Sequence, residues 1–235
     1  MATLGKVYLI PSPIGEDTPS LAPEVLLQVR QISVFAVEEP RTARRFLATC
    51  EMPSAITDLL LITLNKDATE QPVNECIKLL QQGNDVGVIS EAGMPGIADP
   101  GALLVAAAHR QGIEVVPLVG ATSIILTLAA SGLNGQNFAF LGYLPVKGQA
   151  FRNKVLAIEA RSRSEQQTQL FIETPYRNDK MLADLLSILA PSTLLCIANG
   201  IHWAGGSIRT RRVAEWRKQP PQLGKLPTVF ALLAE

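Results

Sequence analysis

The stretch whose residue types best suit ligand binding is residues 90–101, SEAGMPGIADPG. It follows the apolar run 86–89, which predicts a buried strand. Gly93, Pro95 and Gly96 interrupt regular structure and carry little side-chain bulk, so backbone amides can closely approach a bound molecule. Asp99 and Pro100 then predict an N-cap and a first helical position. The order strand, glycine-rich loop and helix is typical of a ligand site at the edge of a parallel sheet, although both glycines also suit ordinary turns.

Several catalytic motifs are absent from the sequence. There is no GxGxxG after the first predicted strand, and no GxxxxGK[ST], GxSxG or HExxH, which argues against dinucleotide-binding, P-loop, serine-hydrolase and zinc-protease chemistry. His109 lies on the helix predicted after Asp99, and a solvated role suits it better than a catalytic one. The role of His202 stays open. Neither a disulfide framework nor a metal site is predicted, because the cysteines are far apart: Cys50, Cys76 and Cys196.

The hydrophobic pattern predicts an α/β fold. In the first half, short apolar runs alternate with amphipathic stretches such as 22–29 and 73–80, which indicates βαβ units and a parallel sheet. The predicted strands there cover residues 7–10, 34–37, 61–64, 86–89 and 115–118. We place a boundary near residue 119 and predict two domains, 1–118 and 119–235.

The second half is predicted to hold a mixed sheet. A buried helix begins at Thr122 and ends near Gly132, and a further helix covers 181–189. The last two strands are separated by a long segment with only a short helical stretch near 213–216, so strands there can pair antiparallel. The predicted strands cover residues 138–141, 170–172, 194–198 and 229–233.

The charge distribution differs between the halves. The formal net charge is zero, which by itself argues against a nucleic-acid binder. However, residues 1–118 hold 8 Lys and Arg against 14 Asp and Glu, whereas residues 119–235 hold 13 against 7. Residues 115–146 carry no charge, but Pro117, Gly120 and Pro145 divide them into pieces unlike a membrane span. Odd, scattered cysteines and no signal-peptide pattern predict a cytoplasmic protein.

Three loops at predicted strand ends together resemble the tetrapyrrole methylase superfamily of S-adenosylmethionine-dependent methyltransferases. They are residues 11–15 (PSPIG), 90–101 and 119–123 (VGATS). Within the superfamily, the chain is most similar to ribose 2'-O-methyltransferases that act on a cytidine of small-subunit ribosomal RNA. That resemblance extends to residues 130–133, 142–147 (GYLPVK) and 173–177 (ETPYR), so it covers nearly the whole chain.

The chain departs from the subfamily patterns TPIGN, EDTR, SDAGTPGISDPG, PGPSA, GFLPxK and YESPHR at informative positions. Residues 12–16 are SPIGE, residues 38–41 are EEPR, and Glu91 and Met94 replace Asp and Thr. Residues 198–202 (ANGIH) stand where the subfamily has an Arg-Glu pair. The cofactor loops are kept in outline while charged groups near the expected acceptor differ, so family membership is firmer than substrate identity.

The resemblance implies a two-domain homodimer with S-adenosyl-L-methionine held between the domains. Such a cofactor needs mainly backbone groups and a pocket that aims its methyl group. Alignment of donor and acceptor supplies roughly 7 to 11 kcal/mol of the barrier, so the absence of an evident histidine base is acceptable. The predicted cofactor contacts lie at strand ends that converge on one crevice: Pro11, Gly93, Met94, Pro95, Thr122, Ser123, Ile172 and Ala198.

For an RNA hydroxyl, the candidate general bases are four carboxylates: Glu38, Glu39, Glu91 and Glu173. Each has a structural alternative, since Glu173 can pair with Arg177 four residues on. Arginines at 41, 44 and 45 suit either phosphate contact or a solvated helix face. A second basic cluster slightly favours RNA contact over simple solvation: Arg209, Arg211 and Arg212, with Arg217 and Lys218 nearby.

Three functions therefore stay open at this point. The leading hypothesis is a methyltransferase acting on ribosomal RNA. The alternatives are methylation of a small molecule such as a tetrapyrrole, which the neutral net charge favours, and a binding module of the same fold without catalysis.

Overall fold

The computed structural model describes residues 3–18, 21–64 and 70–235. Two compact units divide the chain. The first comprises Met1–Ile14 and Thr18–Thr122, and the second comprises Gly15–Asp17 and Ser123–Glu235. Each unit contains one five-stranded sheet, and the predicted α/β class is confirmed.

The first unit is built on a parallel sheet in the order β3-β2-β4-β1-β5. All its strand pairs are parallel, as the alternation of apolar runs and amphipathic stretches predicted. A short 3₁₀ turn, Ile56–Asp58, precedes β3. The elements in chain order are β1 Val7–Leu9, α1 Pro23–Val29, β2 Val34–Val37, α2 Pro40–Thr49, β3 Leu60–Thr63, α3 Glu70–Gln81, β4 Val86–Ile89, α4 Gly101–Arg110 and β5 Val115–Pro117.

Helices cover both faces of this sheet. One face packs against α3 and α4 through Leu80 and Leu104, and the other packs against α1 and α2 through Val29 and Leu47. All four side chains are fully buried. Neighbouring residues of one strand serve opposite faces, as strand geometry requires. Strands buried on both sides explain the continuous apolar runs of β2 and β4.

The second unit contains a mixed sheet in the order β6-β7-β10-β8-β9. Only β6 and β7 pair in parallel among these described strands, and the remaining neighbours are antiparallel. The elements are α5 Ser123–Ser131, β6 Phe138–Tyr143, α6 Gly148–Glu165, β7 Thr168–Glu173, a 3₁₀ turn Pro175–Arg177, α7 Asn178–Ile188, β8 Leu194–Asn199, β9 Ser207–Arg212, α8 Val213–Lys218 and β10 Thr228–Leu233.

The second sheet also separates two apolar layers. On one face, α5 packs through Ile124 and Leu128. The other face packs against α6, α7 and α8, and its centre is the stacked pair Phe171 and Phe230, whose ring centroids are 5.6 Å apart. Trp216 of α8 completes this core and donates its ring N–H to the Leu195 carbonyl at 2.9 Å.

The three cysteines lie in the interior of the described structure and are free thiols. Burial raises the pKa of Cys50 and Cys196, and it raises the pKa of Cys76 to about 12. A raised pKa keeps a thiol neutral at pH 8, and only the thiolate reacts. We expect the native protein to react with a thiol reagent at pH 8 far more slowly than free cysteine. The same protein in denaturant should expose all three thiols, and rapid reaction of the native protein would contradict the burial.

Candidate functional site

The carboxyl edge of the first sheet has the layout of a ligand crevice. Strands β1 and β4 are neighbours, but the chain leaves β1 toward α1 on one face and leaves β4 toward α4 on the other. Open parallel sheets bind ligands outside the carboxyl ends of the strands at such a switch point. The loop of residues 90–100 begins there, as the sequence predicted.

The loops after β1 and β4 are hydrogen-bonded to each other. Ser12 and Gly93 form an antiparallel bridge in which each backbone N–H donates to the other's carbonyl, at 3.0 and 3.1 Å. The Ser12 hydroxyl also donates to the Ser90 carbonyl at 3.0 Å. Ser12 is buried. The start of the glycine-rich loop is therefore fixed by the protein itself.

This bridge gives Gly93 a structural role in place of the predicted close approach to a ligand. Its N–H and C=O are both used by Ser12, so they do not provide free groups for a ligand. Its φ of +77° lies in the region that glycine tolerates best. A Cβ there would lie 3.2 Å from Ile14 Cγ2 and 3.5 Å from the Ala121 carbonyl oxygen. A Gly93→Val variant would consequently strain the loop whether or not a cofactor binds.

We expect Gly93→Ala to lower the free energy of unfolding by about 1 to 3 kcal/mol, the usual cost of holding a side chain at such a backbone angle. Urea denaturation measures it. Gly135→Ala is the matched control, because φ at Gly135 is not positive and a Cβ there meets nothing within 4 Å. Equal stability of the two variants would contradict the structural role of Gly93.

Asp99 fixes the other end of the loop. Its carboxylate accepts hydrogen bonds from the Gly96 N–H at 2.8 Å and from the Gly101 N–H at 2.7 Å. The predicted N-cap position was wrong by one residue, because α4 begins at Gly101 with Pro100 as the N-cap, although the Asp99 carboxylate still binds the first N–H of the helix. Because the carboxylate reaches back to Gly96, Asp99 orders the loop as well as the helix start.

The loop after β5 joins the same edge. A Cβ on Gly120 would lie 2.1 Å from the Pro11 ring, and a Cβ on Gly93 would lie 3.9 Å from Thr122 Cα. The first unit therefore brings Pro11, Gly93 and Thr122 together, with Met94 and Pro95 beside them in the chain. Pro11 and Pro95 are buried, whereas Met94 and Thr122 keep part of their surface exposed.

The other predicted cofactor residues belong to the second unit. Ser123 is the first residue of α5. Ile172 and Ala198 occupy one row across the sheet, since both pair with Val229 of β10. Ala198 is fully buried and Ile172 is half-buried, so of these two only Ile172 keeps side-chain surface exposed. Cofactor contact by these residues stays a prediction.

Two of the four candidate residues follow neighbouring strands and are joined by one hydrogen bond. Glu38 follows β2 and Glu91 follows the neighbouring strand β4, and Glu38 Oε2 accepts a hydrogen bond from the Glu91 N–H at 3.3 Å. The Glu91 side chain is exposed and has no hydrogen bond or ion pair within the described residues. Glu39 is different, because its carboxylate caps α2 by accepting from the Arg41 N–H at 3.0 Å.

Glu173 is engaged in the structural pairing that its spacing to Arg177 predicted. Its side chain is only 2% exposed, and Oε2 lies 3.1 Å from Arg177 Nη2. Oε1 accepts from the Thr174 N–H at 2.7 Å. Arg177 also donates to the Val146 carbonyl at 2.6 Å. These contacts fix the 3₁₀ turn after β7 and occupy Glu173.

The arginines near the carboxyl end of the chain are largely engaged within the protein. Arg217 donates to the carbonyls of Leu186 and Leu189, both at 2.7 Å, and so satisfies the end of α7. Arg212 forms an ion pair with Glu235 at 2.7 Å.

The other basic residues differ in how freely they are exposed. Arg211 lies over the Trp216 ring, 5.0 Å from its centroid. Arg209 is exposed and unpaired among the described residues. The same holds for three side chains on α2: Arg41, Arg44 and Arg45.

The described residues contain no cluster of three or more side chains suited to a metal ion. Of the helices in that part of the chain, none has the length and apolar character needed to cross a membrane.

A family model described as "Tetrapyrrole (Corrin/Porphyrin) Methylases" matches residues 6–201. The chain therefore belongs to the tetrapyrrole methylase family, whose members use S-adenosyl-L-methionine as methyl donor. This confirms the resemblance found from the loops.

Two relatives carry the name ribosomal RNA small subunit methyltransferase I. The protein of Micromonospora olivasterospora is 37% identical to this chain. The match covers 79% of this chain and 56% of that relative's length. The protein of Vibrio cholerae is 32% identical over 89% of this chain and 69% of its own length. The solved structure of uroporphyrin-III C-methyltransferase from Thermus thermophilus has a similar fold, with a TM-score of 0.55 and 21% sequence identity. The similarity covers 97% of this chain and 92% of that one.

The described residues fit this cofactor. Three loops poor in side-chain bulk converge around Pro11, Gly93 and Thr122, and no charged cluster is needed for a sulfonium compound.

Proposed function

We propose that the protein transfers a methyl group from S-adenosyl-L-methionine to a ribose 2'-hydroxyl of small-subunit ribosomal RNA. The observation that carries this proposal is the likeness to relatives of that name over most of the chain, 89% in the case of Vibrio cholerae. The basic second half supports an RNA acceptor, since cations there neutralise phosphates. The exposed arginines of α2 and Arg209 add to that support.

The chain's own part in the reaction is mainly alignment. The fixed loops after β1, β4 and β5 hold donor and acceptor in line, which supplies roughly 7 to 11 kcal/mol of the barrier. The cofactor supplies a methyl group on a positively charged sulfur. An acceptor hydroxyl that took this methyl group would have to release its proton, so the chain would need a group to accept that proton.

We assign the proton-accepting role to Glu91. Its carboxylate is exposed at the carboxyl edge of β4 and is not engaged with other described residues. Glu38 positions the start of the loop by accepting the Glu91 N–H. Glu39 and Glu173 are better explained as a helix cap and an ion-pair partner.

We further propose that the protein acts in the cytoplasm, where a ribosomal substrate is available, and that it forms a homodimer. Exposed apolar side chains support an interface between copies: Val119 and Ile125 are 83% and 45% exposed. Light scattering of the purified protein tests the dimer.

Transfer of labelled methyl groups tests the reaction. Three acceptors are compared: small ribosomal subunits from a bacterial strain that lacks the corresponding methyltransferase, free tetrapyrrole precursor, and buffer. We expect label only in the RNA of the subunits. Label in the tetrapyrrole alone would establish the small-molecule alternative, and cofactor binding by calorimetry without transfer to any acceptor would favour a binding module.

A further inference from the structure

Three loops of the second unit meet at one end of its sheet. Strands β6 and β7 are parallel, with Tyr143 opposite Ile172, and β10 is antiparallel to β7, with Thr228 opposite Glu173. The segments after β6, after β7 and before β10 therefore leave the sheet at the same end. The hydrogen bond from Arg177 to the Val146 carbonyl joins the first two segments directly.

Tyr176 stands out at this end because its ring is 82% exposed. Burial of such an apolar ring stabilises a protein by about 1.5 to 3 kcal/mol. The fold leaves Tyr176 in water and so does not gain this stabilisation. The turn that carries the ring is nevertheless fixed. The Arg177 N–H donates to the Thr174 carbonyl at 2.9 Å, and Glu173 holds both Thr174 and Arg177. The ring is thus presented to solvent on an ordered support.

One cation lies over the ring, and two more are close to it in the chain or on the adjoining segment. Lys225 Nζ lies 5.3 Å from the Tyr176 ring centroid, a cation–π distance. Arg177 is the next residue, and Lys147 is exposed on the segment after β6. We name Tyr176, Arg177, Lys147 and Lys225 the aromatic–cation patch.

Two carboxylates near this patch are engaged within the fold, and one of them, Glu173, offsets the charge of Arg177. Glu173 is buried against Arg177. Asp179 accepts a hydrogen bond from the Leu223 N–H at 2.7 Å. An exposed aromatic ring flanked by cations matches what single-stranded nucleic acids require, since bases stack on aromatic faces and cations contact the backbone.

We propose that the aromatic–cation patch binds a single-stranded segment of the acceptor RNA, with one unpaired base stacked on Tyr176 and Lys225 beside its phosphate. This inference rests on the proposed function, because it takes RNA as the acceptor. The patch comprises the turn after β7 and the segments after β6 and before β10 of the second unit, so it fixes where a strand enters relative to β7.

Binding of a fluorescein-labelled single-stranded RNA, followed by anisotropy, tests the stacking. We expect Tyr176→Ala to weaken binding about 5- to 150-fold, the change that corresponds to a loss of about 1 to 3 kcal/mol. Tyr176→Phe keeps the ring face and should retain the affinity. Phe138→Ala is the matched control, because Phe138 is a partly exposed aromatic ring at the other end of β6. Cofactor affinity by calorimetry should be unchanged in all three variants.

The proposed contact between Lys225 and a phosphate is tested separately. Lys225→Ala should reduce the slope of log affinity against log salt by about 0.7, the value for one phosphate contact on a single strand. Lys154→Ala, which removes an exposed cation from α6, should leave that slope unchanged.

The outcomes separate this inference from the function it rests on. Wild-type protein that neither binds nor methylates RNA would overturn the proposed function. Wild-type protein that binds RNA, together with a Tyr176→Ala variant of equal affinity, would overturn the patch alone. A changed sedimentation coefficient of Tyr176→Ala at unchanged RNA affinity would also overturn it and assign this surface to contact between protein chains.

Discussion

Replacing Glu91 by Gln is expected to lower the rate of methyl transfer by about 100- to 10,000-fold, the usual contribution of a positioned general base. The amide cannot accept the hydroxyl proton, but it keeps nearly the same shape. Single-turnover transfer to small-subunit RNA at saturating cofactor measures this step.

Neighbouring carboxylates provide the control for Glu91. Glu39→Gln changes an exposed side chain one residue beyond Glu38 and affects only a helix cap. It should therefore transfer methyl groups at the wild-type rate, with little change in stability, because the Gln amide oxygen can still accept from the Arg41 N–H. If Glu91→Gln retained the wild-type rate as well, Glu91 would not be the base, and alignment alone would account for the acceleration.

Replacing Glu173 by Ala should lower the free energy of unfolding by about 3 kcal/mol. This is the lower end of the range for breaking a buried ion pair, chosen because the Arg177 side chain is 29% exposed. The substitution leaves the Arg177 guanidinium without its carboxylate and the Thr174 N–H without its acceptor. Urea denaturation followed by circular dichroism gives the change.

A second i,i+4 pair on the surface is the matched control for Glu173. Arg161 and Glu165 lie 3.0 Å apart on α6 with side chains 56% and 44% exposed. Exposed pairs of this kind contribute about 0.3 to 0.5 kcal/mol, so Glu165→Ala should be nearly neutral. A Glu173→Ala variant as stable as wild type but inactive would restore Glu173 as a catalytic candidate.

The first sheet could be predicted closely from the sequence. The predicted strands 34–37 and 86–89 coincide with β2 and β4, because strands covered by helices on both faces are continuous apolar runs. The C-terminal unit was predicted less completely. Helix α6 was missed because its buried face includes Glu159 and Ser162, which a hydrophobic pattern counts as polar. Strand β9, SIRTRR, was missed because it is a polar edge strand.

The location of the site followed from the sequence better than the role of each residue did. Loops at strand ends are visible as glycine and proline clusters, and the three loops that carried the resemblance lie at the predicted strand ends. The bridge between Ser12 and Gly93 could not be predicted, because it joins residues 81 positions apart in the chain. For the same reason, the carbonyl contacts of Arg217 were hidden within an apparently solvated basic cluster.

The identity of the methylated product tests the proposed ribose methylation most directly. Small-subunit RNA is incubated with the protein and S-adenosyl-L-methionine, digested to nucleosides, and analysed by mass spectrometry. We expect a single new nucleoside whose ribose, not its base, has gained one methyl group, and this nucleoside should be absent when Glu91→Gln is used for the same short time. A methyl group on a base, or no mass gain in RNA that the protein demonstrably binds, would contradict the assignment of ribose methylation.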